Sequence, residues 1–219
     1  MFTVDDSVGT MATKQPGAGK ILYQNNIDFC CGGKKSLRSA CEARGLDPEK
    51  LLAEILAGEP VAQFIDWNDK SEKELVEHIE NVFHENHREF LPQVLFLAEK
   101  VETVHADHEN CPRGLTVFLK ELADEMDSHL SREEEGLFSA IKAGNKESVR
   151  SEVAKLKEDH EVYGKGLEKL REIVDEYQYP RDACNTWIVL YNNLQQLEIE
   201  IKEHISLENN VLFPKIGVV

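Results

Sequence analysis

From Ser71 onward apolar residues recur with a helical period, and nowhere does the chain alternate apolar and polar residues over a useful length. The pattern predicts four long helices, at about 71–104, 113–142, 146–177 and 182–212. The stretch 105–112, rich in acids, Asn and Pro, makes the first break, Gly144-Asn145 the second and Tyr179-Pro180 the third. Ser71 and Glu74 have the spacing of a capping box at the start of the first helix. In the second helix the apolar seam runs Leu115, Leu119, Leu122, Met126, His129, Glu133, Leu137, in steps of four and three that finish with two fours. The third runs Val149, Val153, Leu156, His160, Tyr163, Leu167, Leu170, Val174, Tyr177, and the fourth Trp187, Leu190, Leu194, Leu197, Ile201, His204, Glu208, Val211. A sustained mean step of about 3.5 is the seam of helices packed nearly parallel. The predicted fold class is therefore all-α, with an up-and-down four-helix bundle.

The first seventy residues read differently. Segments there are short: 15–26 with Gly17 and Gly19, the break Cys30-Cys31-Gly32-Gly33, then 35–44. Asp47-Pro48-Glu49 opens one more helix, with a capping residue and a proline in its first turn, and that helix should end near Gly58. Helices of fewer than about 15 residues are marginal alone, so these must pack on one another or on a neighbour. The expected organisation is a small helical domain over 1–58, a linker over 59–70 that holds Pro60, and the bundle over 71–219.

Composition narrows the function. The chain has 219 residues, and a hydrophobic share of 41% is enough for a real core. A net charge of −16 without any long basic run makes nucleic acid an unfavourable partner. The longest apolar run, 94–98, is far short of the ~20 residues a membrane span needs. The N-terminus carries acids where a signal peptide has basic and apolar stretches. Five cysteines, two of them adjacent, fit a reducing compartment better than a disulfide framework. The expectation is a cytoplasmic protein.

The chemistry lies where the seam is broken. His129, Glu133, His160, His204 and Glu208 occupy seam positions that should be apolar, and a buried carboxylate must be paired. His129-x3-Glu133 and His204-x3-Glu208 each set two ligands one turn apart on one helical face. The stretch from His129 through Glu133, Leu137 and Phe138 to Ile141 recurs, 75 positions on, from His204 through Glu208, Leu212 and Phe213 to Ile216. An offset of 76 relates His84-Glu85 to His160-Glu161 and Leu91 to Leu167, which suggests a duplicated helical hairpin giving one His per helix. His87 maps onto Tyr163, so His84 is the expected ligand and His87 a supporting residue. Four imidazoles and two carboxylates suit two redox-active metals bridged by the carboxylates. Nitrogen and oxygen ligation without thiolate favours iron or manganese and admits zinc.

These residues resemble the haemerythrin-like (HHE) bundle proteins. With Asp28-Phe29-Cys30-Cys31-Gly32-Gly33-Lys34 and the ending from His204-Ile-Ser-Leu-Glu208 to Pro214, nearly the whole chain resembles the RIC family (YtfE/ScdA type) of di-iron proteins that repair iron–sulfur clusters. The resemblance implies two iron ions per chain, oxo- and carboxylate-bridged. It assigns His84, His129, His160 and His204 as ligands, with Glu133 and Glu208 bridging. It implies repair of clusters damaged by nitrosative or oxidative stress, through iron donation. Alternatives are nitric oxide reduction at the two irons and a nitric oxide or oxygen sensor module. Implied partners are iron–sulfur proteins with damaged clusters and nitric oxide; a homodimer stays open. Whether the protein is an enzyme is left undecided. The chain departs from the oxygen-carrying haemerythrins, which have a second third-helix His where Gly164 stands and His-x4-Asp in place of His-x3-Glu on the fourth helix. One imidazole fewer argues against reversible oxygen storage.

Three further sets of residues invite roles. Cys30 and Cys31, ahead of a predicted helix and beside Lys34 and Lys35, are candidate reactive or iron-transit thiols, the alternative being a tight turn with two small buried side chains. Glu125 and Asp159 are candidate supporting acids or part of an ion path, or else solvated helix charges. His105 lies 21 residues, or about 31 Å along an unbroken helix, from His84, too far to share its metal unless the helix breaks near Pro92, and it stays a candidate on that condition.

Overall fold

The computed structural model describes residues 2–58, 64–145 and 149–217, in two compact units: residues 1–77 with 201–219, and residues 78–200. Among the described residues there is no strand, only a single bridge between Ser7 and Ser36.

In the first unit each short helix begins on a side chain suited to the task. Ser7 caps α1 (Val8–Lys14), which the periodicity does not predict, and Ser36 caps α3 (Leu37–Glu42). Asp47 accepts the Lys50 N–H at the start of α4 (Pro48–Ala57), and Gly58 ends it as expected. With α2 (Ala18–Gln24) these helices bury Val8, Met11, Leu22, Phe29, Leu37 and Ile55. The same unit holds the chain's last turns, a π-helical turn Glu208–Leu212 and α11 (Phe213–Lys215). Asn210 fastens these turns to the small helices: its side-chain amide donates to the Phe29 carbonyl (3.0 Å) and to Ser206 Oγ (3.0 Å). Gly9 and Gly33 make room for it, since a Cβ on either would collide with the Asn210 amide. Of the expected linker, residues 59–63 lie outside the described residues; Lys215 Nζ donates to the carbonyls of Asn68 (2.7 Å) and Lys70 (2.8 Å) just beyond.

The long helices carry the seams. The predicted capping box closes: the Ser71 N–H donates to Glu74 (3.0 Å) and the Glu74 N–H to Ser71 Oγ (3.2 Å), opening α5 (Glu72–His78). The chain continues through a π-helical turn, Ile79–His84, into α6 (Glu85–Val104). There follow α7 (Leu115–Arg132), a π-helical turn Glu133–Phe138, α8 (Ser139–Lys142), α9 (Arg150–Ile173) and α10 (Asn185–Leu207). In the second unit α6 packs on α7 and α7 on α9. Every seam position named from the sequence is buried, from Leu115 to Val211.

One boundary differs. The periodicity predicts a third helix reaching 177, but α9 ends at Ile173, and Asp175, Glu176 and Tyr177 take left-handed φ values of 47°, 51° and 62°. Tyr177 keeps its place in the core because its hydroxyl donates to the fully buried Glu198 (2.6 Å), which the Arg171 Nε also reaches (2.8 Å). The predicted start at 146 lies outside the described residues.

Candidate metal centre

The three π-helical turns all sit at the predicted ligands. One ends on His84, one begins on Glu133 and one on Glu208. A π turn inserts one extra residue and rotates the helix on its N-terminal side against the helix on its C-terminal side, a device common at functional sites. Here it lets a polar side chain point inward while the apolar seam resumes beyond it: Leu137, Phe138, Leu212 and Phe213 are all fully buried. The last two turns stand 75 positions apart, so the sequence repeat is also a repeat of backbone form.

Six polar side chains converge in two groups. His129, Glu133, His160 and Glu208 form one, and His84, Glu133 and His204 the other; within each, one ligand atom per residue lies within 4.8 Å of all the others. All six residues are at most 1% exposed. Glu133 is common to both groups. Its carboxylate faces the Nε2 atoms of His129 (3.2 Å), His84 (3.4 Å) and His160 (3.9 Å). His204 Nε2 stands 3.6 Å from Glu208. Burial opposes charge on Glu133, but the imidazoles, His129 foremost, outweigh it and hold the carboxyl well below the usual carboxylate range. Both Glu133 oxygens are nonetheless buried without a hydrogen bond of good geometry. A fully buried carboxylate left in that condition, ringed by imidazole nitrogens, fits a metal-bridging ligand.

The outward imidazole nitrogens have carboxylate partners. His84 Nδ1 is 2.8 Å from Glu134, which also takes both Nη atoms of Arg88 (2.6 and 3.1 Å). His129 Nδ1 is 3.5 Å from Asp159, which Arg132 holds at 2.8 Å. In each case Nδ1 turns to an acid and Nε2 to Glu133, the arrangement that fixes tautomer and ring direction in metal-binding histidines. Burial opposes charge on Glu134, yet hydrogen bonds from Arg88 and then His84 lower its carboxyl. The His84 ring also stacks on Phe138, centroids 5.4 Å apart.

Asp159, a candidate from the sequence, is thus placed beside a predicted ligand. Glu125 is not: its side chain lines a cavity of about 420 Å³ with Asp159, Ser128 and Arg132, while its carbonyl accepts from the Tyr163 hydroxyl (2.9 Å). His87 is fully buried but belongs to neither group. Sequence reasoning missed Glu134 and Arg88, which look like ordinary charges on an acidic helix face. The π turn at Glu133 did leave a trace, the two consecutive steps of four at His129, Glu133 and Leu137.

Two family models match the chain. The Hemerythrin HHE cation binding domain covers residues 78–216, and the ScdA_N domain, described as of unknown function, covers 4–59. The iron–sulfur cluster repair protein YtfE of Shigella boydii serotype 4 is 38% identical over 213 residues, 96% of each chain. Its counterpart in Escherichia coli strain SMS-3-5 is 37% identical over the same span. The chain belongs to the YtfE family. The seven-residue run from Asp28 to Lys34 falls inside the ScdA_N match, and His84 and the five polar seam residues fall inside the HHE match of this YtfE-type chain.

In this YtfE-family protein the cysteine pair forms a turn organised by Asp28, whose carboxylate accepts the N–H groups of Cys30 (3.0 Å), Cys31 (3.0 Å) and Gly32 (2.8 Å). Asn209 donates to the Cys30 carbonyl (3.2 Å). Of the two candidate thiols, Cys30 is held in its neutral form by its surroundings. The contact with Cys31 (3.8 Å), burial and the nearby Asp28 together push the Cys30 thiol up, against what Lys34 and Lys35 suggested. Cys31 is the more exposed of the two. No described helix is long and apolar enough to cross a membrane.

Proposed function

We propose that this protein holds two iron ions between its long helices and restores damaged iron–sulfur clusters in other cytoplasmic proteins by giving up iron. One observation carries the reading: two buried His/Glu groups share Glu133 in a chain that matches iron–sulfur cluster repair proteins along 96% of its length. His84, His129, His160 and His204 are the imidazole ligands, and Glu133 and Glu208 the bridging carboxylates. Bound there, the metals supply ferrous iron for transfer and exchangeable positions that small molecules such as nitric oxide can take. The protein's own part is to hold that site in a releasable form. Glu134 and Asp159 keep two imidazoles turned inward. Glu133, common to both groups, would serve both metal positions.

Cys30 and Cys31 extend this reading as thiols that handle iron or dock a client, with Cys31 the more accessible donor. The test is repair of a nitric-oxide-treated iron–sulfur protein, followed by return of its visible cluster absorption. Wild-type protein restores the cluster; Glu133→Gln does not. A Cys30→Ser/Cys31→Ser variant that keeps its iron but repairs at the wild-type rate removes the thiols from the mechanism.

A further inference from the structure

A second cluster of reactive side chains lies in the 78–200 unit, far from the metal centre. His105 closes α6 and Cys184 precedes α10, and their side chains meet: His105 Nε2 lies 3.1 Å from Cys184 Sγ. Since α6 runs without a break from Glu85 to Val104, His105 stands about 30 Å from His84. The pair is chemically separate from the His/Glu groups.

Five features bear on the reactivity of this contact. The backbone N–H groups of Trp187 and Ile188 donate to the Cys184 carbonyl (3.0 and 3.1 Å), so Cys184 is the capping residue of a 23-residue helix. The positive end of that helix dipole favours negative charge on its sulfur. His105 occupies the opposite kind of position, as the C-cap of the 20-residue α6, where positive charge is favoured. The Trp187 ring packs against the His105 ring, centroids 4.9 Å apart, and an aromatic face stabilises an imidazolium. The neighbouring His108 is engaged elsewhere. His108 Nδ1 accepts the Asn110 N–H (3.1 Å), which places the His108 proton on Nε2, facing Asp182 (3.4 Å). Cys184 is also half-buried, whereas Cys41 and Cys111 are buried.

We propose that Cys184 is a peroxide-reactive thiol activated by His105. The thiolate sulfur attacks one oxygen of the peroxide; the S–O bond forms as the O–O bond breaks. Sulfur gives up two electrons, the peroxide is reduced, and the departing oxygen takes the proton held on His105. The product is a sulfenic acid at Cys184, reversible by a further thiol. The chain would then register peroxide at a site independent of its metal centre.

The test uses the full-length, metal-loaded protein. Iodoacetamide labelling is followed by peptide mass spectrometry, and sulfenic acid is trapped with dimedone during exposure to hydrogen peroxide. Cys184 is expected to alkylate at least about tenfold faster than glutathione at the same pH. It is expected to take dimedone on peroxide treatment. His105→Asn, with iron content and circular dichroism unchanged, is expected to slow both reactions about tenfold. Equal rates in wild type and variant overturn the proposal. So does a wild-type Cys184 no faster than glutathione, a comparison that needs no variant and decides the matter if His105→Asn does not fold.

Discussion

Replacing Glu134 by alanine should weaken one metal position while leaving the fold in place. The Glu134 carboxylate accepts from His84 Nδ1 at 2.8 Å and is itself held by both Nη atoms of Arg88. A hydrogen bond to a charged group contributes about 1.5–3 kcal/mol. Removing it frees the imidazole to rotate and to change tautomer, except for the stacking on Phe138, centroids 5.4 Å apart, that still restrains the ring. Part of the orientation therefore survives, and a loss near 2 kcal/mol corresponds to about 30-fold in affinity at ~1.4 kcal/mol per decade. That lies within the 10–100-fold typical of losing such a partner. Glu134→Gln keeps an amide oxygen for Nδ1 but loses the charge facing Arg88, and should cost less than about tenfold. The assay is anaerobic competition for ferrous iron with a chromogenic chelator. Wild type should surrender its irons at similar chelator strength, and Glu134→Ala should release one of the two much earlier. The melting temperature of the metal-free protein should change little, because Glu134 is partly exposed. A Glu134→Ala protein that holds both irons as tightly as wild type refutes the assigned role.

Two further outcomes test the frame around the site. Gly33→Ala should lower stability by about 1–3 kcal/mol, since its methyl would stand 2.8 Å from the Phe29 carbonyl oxygen and press on Asn210; thermal unfolding reads this. Hydrogen bonds from the Ser71 N–H and hydroxyl hold the Glu74 carboxyl below its ordinary 4.5, so its contribution is present above that value and is lost as pH falls through the lower folded one. The melting temperature of Glu74→Ala should thus trail wild type at neutral pH and converge with it in acid.

Much of the fold was legible because a bundle seam is a strict pattern. Each apolar position in the heptads had to be buried, and each polar interruption had to have a reason. The repeat at 75 and 76 positions then selected His84 over His87; in the structure His84 falls in a group of side chains that could hold a metal ion and His87 in neither group. What the sequence hid depends on partners distant along the chain. Glu134 is one of three successive glutamates, and only the approach of His84 and Arg88, 50 and 46 residues away, distinguishes it. The His105–Cys184 contact joins residues 79 positions apart across two helix ends. Each π turn shifts the ordinary helical register by one residue, which heptad counting records as a repeated step at Glu133 and not at all at Glu208. The lysines beside the Cys30–Cys31 pair suggest at least one reactive thiol, but at Cys30 itself a neighbouring thiol, burial and Asp28 push the thiol up.

A two-iron centre that depends on one shared carboxylate is tested most directly by iron content per chain. Protein purified without oxygen and reconstituted with ferrous iron should hold two irons, with the near-ultraviolet absorption of a bridged pair on oxidation. Because Glu133 belongs to both His/Glu groups, Glu133→Gln should lose both irons together rather than one. Failure of the wild type to retain stoichiometric iron, or a Glu133→Gln protein that keeps both, would contradict a centre built on that carboxylate.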